Sequence, residues 1–346
     1  VQTCALPISD SYNSERGPLK MNKYVKKGLC LVLATGLIAS SFAGCAKVNY
    51  VTNGAIKAIH QIKDGSWQNQ TEGEEAGSSD DTSVLEKPFE AGTYGGVDFK
   101  SLEDVANYYK EAYDYTKSLT AEYTNQDGGT ETFYKLLGNE EINVGSVMID
   151  GKENAVINKL VPGIVDGLFK PNIYGLVPCN NRNPKLDNSN TDEANPGEKD
   201  FTKSYVTKDD ILDANITDNG DGTITMVIQP KAAEMSMRGE DSQGNFFEVL
   251  GDISSTVAQI SVISFAQGTA EDNIKVTYKG GTVTCTIDTK TKEITKAEYN
   301  MVAEVAVNHA TVTVIKDKSA SLSITYKNTF PASDEYLKET KGVVRK

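Results

Sequence analysis

Residues 273–330, NIKVTYKGGTVTCTIDTKTKEITKAEYNMVAEVAVNHATVTVIKDKSASLSITYKNTF, carry the pattern that decides the fold. Within Thr282-Val283-Thr284-Cys285-Thr286-Ile287 the polar and apolar residues alternate strictly, as in a strand with one face buried. The whole stretch divides into four long strand candidates: Asn273 to Lys279, Thr282 to Thr289, Glu293 to Val307, and a final pair across Thr311 to Phe330 turning at Lys316-Asp317-Lys318. Lys279-Gly280-Gly281 and the polar run Asp288 to Lys292 read as tight turns, so successive strands are expected to be direct neighbours in an antiparallel meander.

Toward the N-terminus the pattern changes. Phe246, Val249, Leu250, Ile253, Val257 and Ile260 recur at helical spacing and predict a helix over 245–260. Strands are expected at Asp210 to Ile216 and Gly222 to Gln229, joined through Thr217-Asp218-Asn219-Gly220-Asp221-Gly222. That acidic loop lacks the ligand spacing and terminal Glu of a calcium loop, and its Asn-Gly and Asp-Gly pairs account for it as a hairpin turn. Pro171 to Thr202 is rich in Asn, Pro, Asp and Lys and reads as a long surface loop. Asn154 to Phe169 carries Val156, Ile157, Leu160, Val161, Ile164, Val165, Leu168 and Phe169 around an interior Pro162, a bent apolar helix that packs on the sheet or covers an apolar cavity. Glu131 to Leu137 and Glu141 to Ile149 read as a hairpin turning at Gly138-Asn139. Ser101 and Asp104 start a helix in which Leu102, Val105, Tyr109, Ala112, Tyr113, Thr116 and Leu119 form one stripe, ending near Glu122. The expected class is therefore α+β: a curved, mostly antiparallel, half-barrel-like sheet packed against a few helices in one domain over 97–346.

The first hundred residues read differently. Residues 1–20 show no sustained periodicity and are expected to be an upstream extension. Residues 21–44 then follow the plan of a secretory signal: Lys23, Lys26 and Lys27 after Met21, an apolar run from Gly28 to Ile38, and short residues before Cys45. The segment Phe42-Ala43-Gly44-Cys45 resembles the bacterial lipobox, with Phe42 at a position usually held by Leu. The resemblance implies a cysteine diacylated on sulfur at Cys45, so that the mature chain starts there on the outer side of a cell membrane, or in an outer membrane if the host has one. About a dozen apolar residues are too few for a span, which needs roughly 20. Two acyl chains supply the two signals that stable anchoring requires. Residues 45–96 are expected to hold this anchor, a short helix over Gly54 to Lys63 and a polar tether.

Charge and residue inventory limit the chemistry. A formal net charge of −13 disfavours nucleic acid as a partner. Cys4 lies in the extension, Cys30 in the signal and Cys45 under lipid, which leaves Cys179 and Cys285. They could pair in an oxidising compartment, yet the alternation turns Cys285 inward with Val283 and Ile287, where a free thiol behaves as a small hydrophobe. The two histidines, His60 and His309, stand apart, and no metal, phosphate-loop or nucleophile motif is present. No cofactor and no catalytic residue is expected, although Glu140-Glu141 and Asp209-Asp210 are the acid pairs that a glycoside hydrolase would need.

In the order of its elements, 98–330 resembles the half-barrel carriers of envelope lipoproteins, of the LolA and LppX type. That resemblance implies an apolar ligand, a lipid or acyl chain, held between sheet and helices without catalysis. An envelope protein bound at the surface is the alternative partner.

Overall fold

A computed structural model describes residues 81–146, 148–153, 174–179, 201–251, 254, 263–312 and 315–346. The expected extension, signal, Cys45 with Phe42, Ala43 and Gly44, the tether up to residue 80, His60, the bent helix at 154–169 and most of the loop at 171–202 lie outside the described residues.

The chain opens with β1 (Gly92–Tyr94), β2 (Val97–Phe99) and helix α1 (Leu102–Ser118), followed by β3 (Thr120–Asn125), β4 (Thr130–Tyr134), β5 (Asn139–Val144), β6 (Met148–Ile149) and β7 (Lys152–Glu153). Next come β8 (Ile211–Asp218), β9 (Thr223–Pro230), β10 (Ala233–Glu234), α2 (Ser242–Phe246), β11 (Ile263–Phe265), α3 (Ala270–Asn273), β12 (Ile274–Tyr278) and β13 (Thr282–Asp288). The long strands β14 (Ile294–Val312) and β15 (Ile315–Phe330), helix α4 (Asp334–Lys341) and β16 (Val343–Arg345) complete it. The expected α+β architecture, with a mostly antiparallel sheet and helices packed on it, is what these elements form. The sheet is open and uncurled rather than bent into a half-barrel. Its edges are finished separately: β6 and β7 make a short hairpin beside β15, and on the far side β8 and β9 are strapped by the segment that precedes β1.

That strap corrects the expected tether boundary at residue 96. Ser83 donates to Asp213 at 2.6 Å, the Val84 N–H to Gln229 at 2.7 Å and the Phe89 N–H to Asp213 at 3.0 Å. The segment is polar, yet its backbone finds partners on the sheet.

β14 is the spine. β15 pairs along it from Ala297–Phe330 to Val312–Ile315, so the turn falls between 312 and 315 and not at Lys316-Asp317-Lys318. Asp317, with φ 52°, lies within β15 and His309, with φ 48°, within β14, each at one of the two places where the register slips on either side of the Ala310–Lys318 pair. A bulge absorbs the polar residues that looked like a turn.

On the other side of β14, Ile274 to Tyr278 face Val307 to Ala303, and Thr282 to Ile287 face Asn300 to Ile294. β12 and β13 are therefore not hairpin partners but one bent strand, interrupted at Lys279-Gly280-Gly281. Gly280 supplies a φ of 74°, and a Cβ on Gly281 would come within 2.7 Å of the Asn300 carbonyl. The two glycines make a bulge where a turn was expected.

The expected hairpin at Gly138-Asn139 is likewise absent. β4 pairs with β3, which pairs with β16 in a separate three-stranded sheet, whereas β5 pairs with β15. Gly138 is the crossing point between sheets: its N–H donates to the Tyr174 carbonyl at 3.0 Å, and a Cβ there would lie 2.3 Å from the Phe330 ring. The strand expected over 141–149 exists as β5 and β6, both on β15 with a slip of register between them.

Helix α1 starts as its capping pattern predicts, with Ser101 accepting from the Asp104 N–H, and buries Val105, Ala106, Tyr109, Ala112 and Tyr113 against the sheet. It stops at Ser118, short of Glu122, because the chain turns into β3. Of the helix expected over 245–260, α2 ends at Phe246, Phe247 is extended at φ −123° and ψ 160°, Ser254 is helical again, and 252–253 and 255–260 lie outside the described residues. Every residue from Ser242 to Leu250 is buried, so this segment is enclosed on all sides and has no single apolar face. We expect Gly281→Ala to lower the urea midpoint by the equivalent of roughly 2 kcal/mol, the cost of overpacking, since the contact is with backbone that cannot swing away.

Candidate functional site

The two faces of the large sheet differ in chemistry. Because side chains alternate, Tyr299, Met301, Ala303 and Val305 of β14 and Leu322, Ile324 and Tyr326 of β15 point into the main core. Under α1 that core is filled by tyrosines whose hydroxyls meet each other or the backbone. Tyr109 and Tyr299 share a hydrogen bond of 3.0 Å, and Tyr113 Oη stands 3.0 Å from the Pro178 carbonyl and 3.1 Å from that of Phe201. Lys117, buried with them, donates to the Leu176 carbonyl at 2.6 Å. This end of the helix clasps the buried Tyr174–Cys179 segment.

No disulfide joins Cys179 to Cys285; both are buried thiols. Cys285 sits beside Tyr299, and burial pushes its thiol up to about 12, so it stays protonated and unreactive. Cys179 belongs to a different neighbourhood. Its N–H donates to Glu248 at 2.6 Å and its carbonyl accepts from Arg238 at 2.6 Å. Glu248 is wholly buried and lies 3.8 Å from the Arg238 guanidinium, an ion pair that ties the Cys179 segment to the chain after α2.

The acid pairs do not converge. Glu140 is buried on the core side, where Tyr174 donates to it at 2.8 Å, while Glu141 faces the other way in register with Lys327. Asp210 accepts from the Thr207 N–H at 2.8 Å as a helix cap, and Asp209 is exposed. In the loop between β8 and β9, Asp218 accepts from the N–H groups of Gly220 and Gly95, and Asp221 from that of Thr223, so the carboxylates serve the turn itself. The backbone donors hold the Asp218 carboxyl below its usual range, and the Thr223 hydroxyl, with its backbone N–H, does the same for Asp221. His309 meets Asp317 at 2.6 Å at the surface bulge. Among the described residues no group of three or more His, Cys, Asp or Glu is placed to hold a metal ion.

The face of the sheet turned away from the main core is largely buried as well. There β14 presents Glu298, Asn300, Val302, Glu304 and Ala306, and β15 presents Lys327, Thr325, Ser323 and Ser321 opposite the last four of these. Glu298 pairs with Lys327 and accepts from the Asn300 amide at 2.8 Å, which orients the Asn300 side chain. Asn300 and Thr325 are only 4% and 3% exposed, yet Asn300 Oδ1 and Thr325 Oγ1 have no hydrogen-bond partner. Glu304 Oε1 is also buried without one. A buried polar atom left unpaired costs about 1–3 kcal/mol, and similar unpaired atoms occur elsewhere, on Tyr108, Gln243 and Asn245.

Comparison with protein-family models, with curated proteins and with solved structures gives no match. The outer face must therefore be read from its own chemistry. None of its three unpaired groups was singled out in the sequence. The usable signal was a Glu inside the small-residue run Ala303-Glu304-Val305, beside alternating Ser and Thr in Ser321-Leu322-Ser323-Ile324-Thr325.

Burial raises the Glu304 carboxyl to about 6. The folded chain then keeps a proton that the unfolded chain releases between its ordinary value and 6, so this group's contribution to stability rises as pH falls through that window. Glu304→Gln, which cannot ionise, should exceed the parent in stability at pH 7.5 by on the order of 1 kcal/mol after allowance for solvent screening. The difference should shrink below pH 5. Urea unfolding at the two pH values measures it.

Proposed function

We propose that this chain is an extracytoplasmic lipoprotein, held to a membrane by lipid on Cys45, whose α+β domain binds a partner rather than catalysing a reaction. One observation carries the reading: the succession of Lys23, Lys26 and Lys27, the apolar run from Gly28 to Ile38, and Phe42-Ala43-Gly44-Cys45. Each part has a physical role, with cations retained at the cytosolic side, an apolar segment long enough to engage export, and small residues before a thiol that accepts lipid. The anchor is the acyl group. Among the described residues no helix is long and apolar enough to cross a membrane.

Binding at the surface is favoured by the filling of the described core, where α1 and the sheet enclose tyrosines already bonded to one another and to the backbone. An envelope protein or another envelope component is the class of partner this implies. An apolar ligand is the second reading, and what favours it is the bent apolar pattern from Asn154 to Phe169. A carboxylate-dependent hydrolase has the least support, because Glu140 and Glu141 point to opposite faces.

Replacing Cys45 by Ser tests the address. With labelled palmitate supplied to the cells, the parent protein should take up label and sediment with the envelope as a shortened form. Cys45→Ser should take up none and keep its leader. Equal labelling of both would overturn the proposal.

A further inference from the structure

We infer that Lys327 and Asn300 form a covalent cross-link, an amide between Lys327 Nζ and Asn300 Cγ that fastens β15 to β14, with Glu298 as the proton carrier and ammonium as the leaving product. The inference goes beyond the anchoring and binding roles proposed above and depends on neither.

Three side chains meet on the face of the sheet turned away from the main core. Asn300 and Lys327 stand directly opposite one another in the β14–β15 register, and opposed residues bring their Cβ atoms to about 4.5–5.5 Å. Glu298, two residues before Asn300 on the same strand, shares their face. Its carboxylate touches both reacting groups: Oε2 is paired with the Lys327 ammonium, and Oε1 accepts from the Asn300 amide nitrogen at 2.8 Å. The amine and the carboxamide are thus held one carboxylate apart. The flexible methylene stem of Lys327 lets Nζ swing from the carboxylate to Asn300 Cγ without moving either strand.

A carboxamide is a poor electrophile and an ammonium is no nucleophile, so a Lys and an Asn that merely adjoin in water do not react. Two features change that here. Asn300 is 4% exposed, and the side chains of Lys327 and Glu298 are 19% and 27% exposed, so water that would compete at Cγ or solvate the charges is largely kept out. Paired strands also replace a chance encounter by an intramolecular one, for which effective molarities on the order of 10⁵–10⁸ M are attainable.

The carboxylate supplies the acid–base chemistry. Glu298 takes a proton from the Lys327 ammonium, and the lone pair left on Nζ attacks Asn300 Cγ to give a tetrahedral adduct. As the Cγ–Nδ2 bond breaks, Glu298 delivers protons to Nδ2. Nζ gives up two protons in becoming an amide N–H; Nδ2 receives both and departs as ammonium, and Glu298 ends as the carboxylate it began. Nothing is oxidised or reduced. The bond closes the end of the β14–β15 hairpin that lies away from its turn at 312–315, so β15 cannot peel from the spine at that end.

The test digests the full chain, purified in detergent, with trypsin and reads the peptides by tandem mass spectrometry. The expected product joins peptide 297–316 to a peptide running through an uncut Lys327, with the mass of the two less one ammonia. Separate peptides, cleaved after Lys327, would overturn the inference and leave an ion pair only. A link to Glu298 or to Glu141, which faces Lys327 from β5, would overturn it as well, and is recognised by loss of water instead. Lys327→Arg keeps a cation beside Glu298 but has no attacking amine; it should show no link and unfold at lower urea than the parent. Glu298→Gln should lower the linked fraction of freshly made protein tenfold or more, and an equal fraction would remove the role given to that carboxylate. The parent digest decides the bond without either variant. None of these readouts depends on lipid at Cys45, so failure here and failure of the anchoring proposal are read separately.

Discussion

The antiparallel pairing of β14 with strands on both sides is the constraint from which the rest follows. Nineteen residues from Ile294 to Val312 hold β15 along one edge and β11, β12 and β13 in succession along the other. A period of two then leaves each residue of this spine no choice of side. Tyr299, Met301, Ala303 and Val305 go to the helix-covered core, and Asn300, Val302 and Glu304 to the opposite face. A slip by one residue would exchange the two sets and put Glu304 beneath α1. The bulges at Gly280-Gly281 and at His309 and Asp317 let such long strands twist without losing that assignment.

Buried polar atoms without a partner occur on both sides of the sheet. On the core side Tyr109 and Tyr299 share a hydrogen bond and the buried Lys117 finds a carbonyl, while the hydroxyl of Tyr108, in the same core, has no partner. On the outer side three buried polar atoms have none. A fold selected only for stability would replace Thr325 by Val and Asn300 by a smaller or apolar residue at little cost.

Much of the fold was legible before any coordinates. Strict alternation across Thr282 to Ile287, the capped stripe from Ser101 to Leu119, and the Asn-Gly and Asp-Gly turn between β8 and β9 each rest on local chemistry, and each is found in place. The readings that failed share another cause. Gly280-Gly281 and Gly138-Asn139 look like hairpin turns because Gly permits both a turn and a bulge, and only the partner strand decides between them. The break in the helix after Phe246 was hidden because a segment enclosed on every side shows no single apolar face. The candidate site fared worst. Glu140 and Asp210 attracted notice as acids but serve as a buried tyrosine acceptor and a helix cap, whereas Asn300 and Thr325 look ordinary until their lack of partners is visible.

What the sequence determined by itself was the class of the fold and the inward face of each long strand, because these depend on residues close together in the chain. Tertiary structure decided which strands are neighbours, where the sheet stops, and which buried groups go unpaired. Those properties depend on contacts between residues far apart in sequence: β5 reaches β15 from nearly two hundred residues away, and no local pattern encodes the partner of a distant strand.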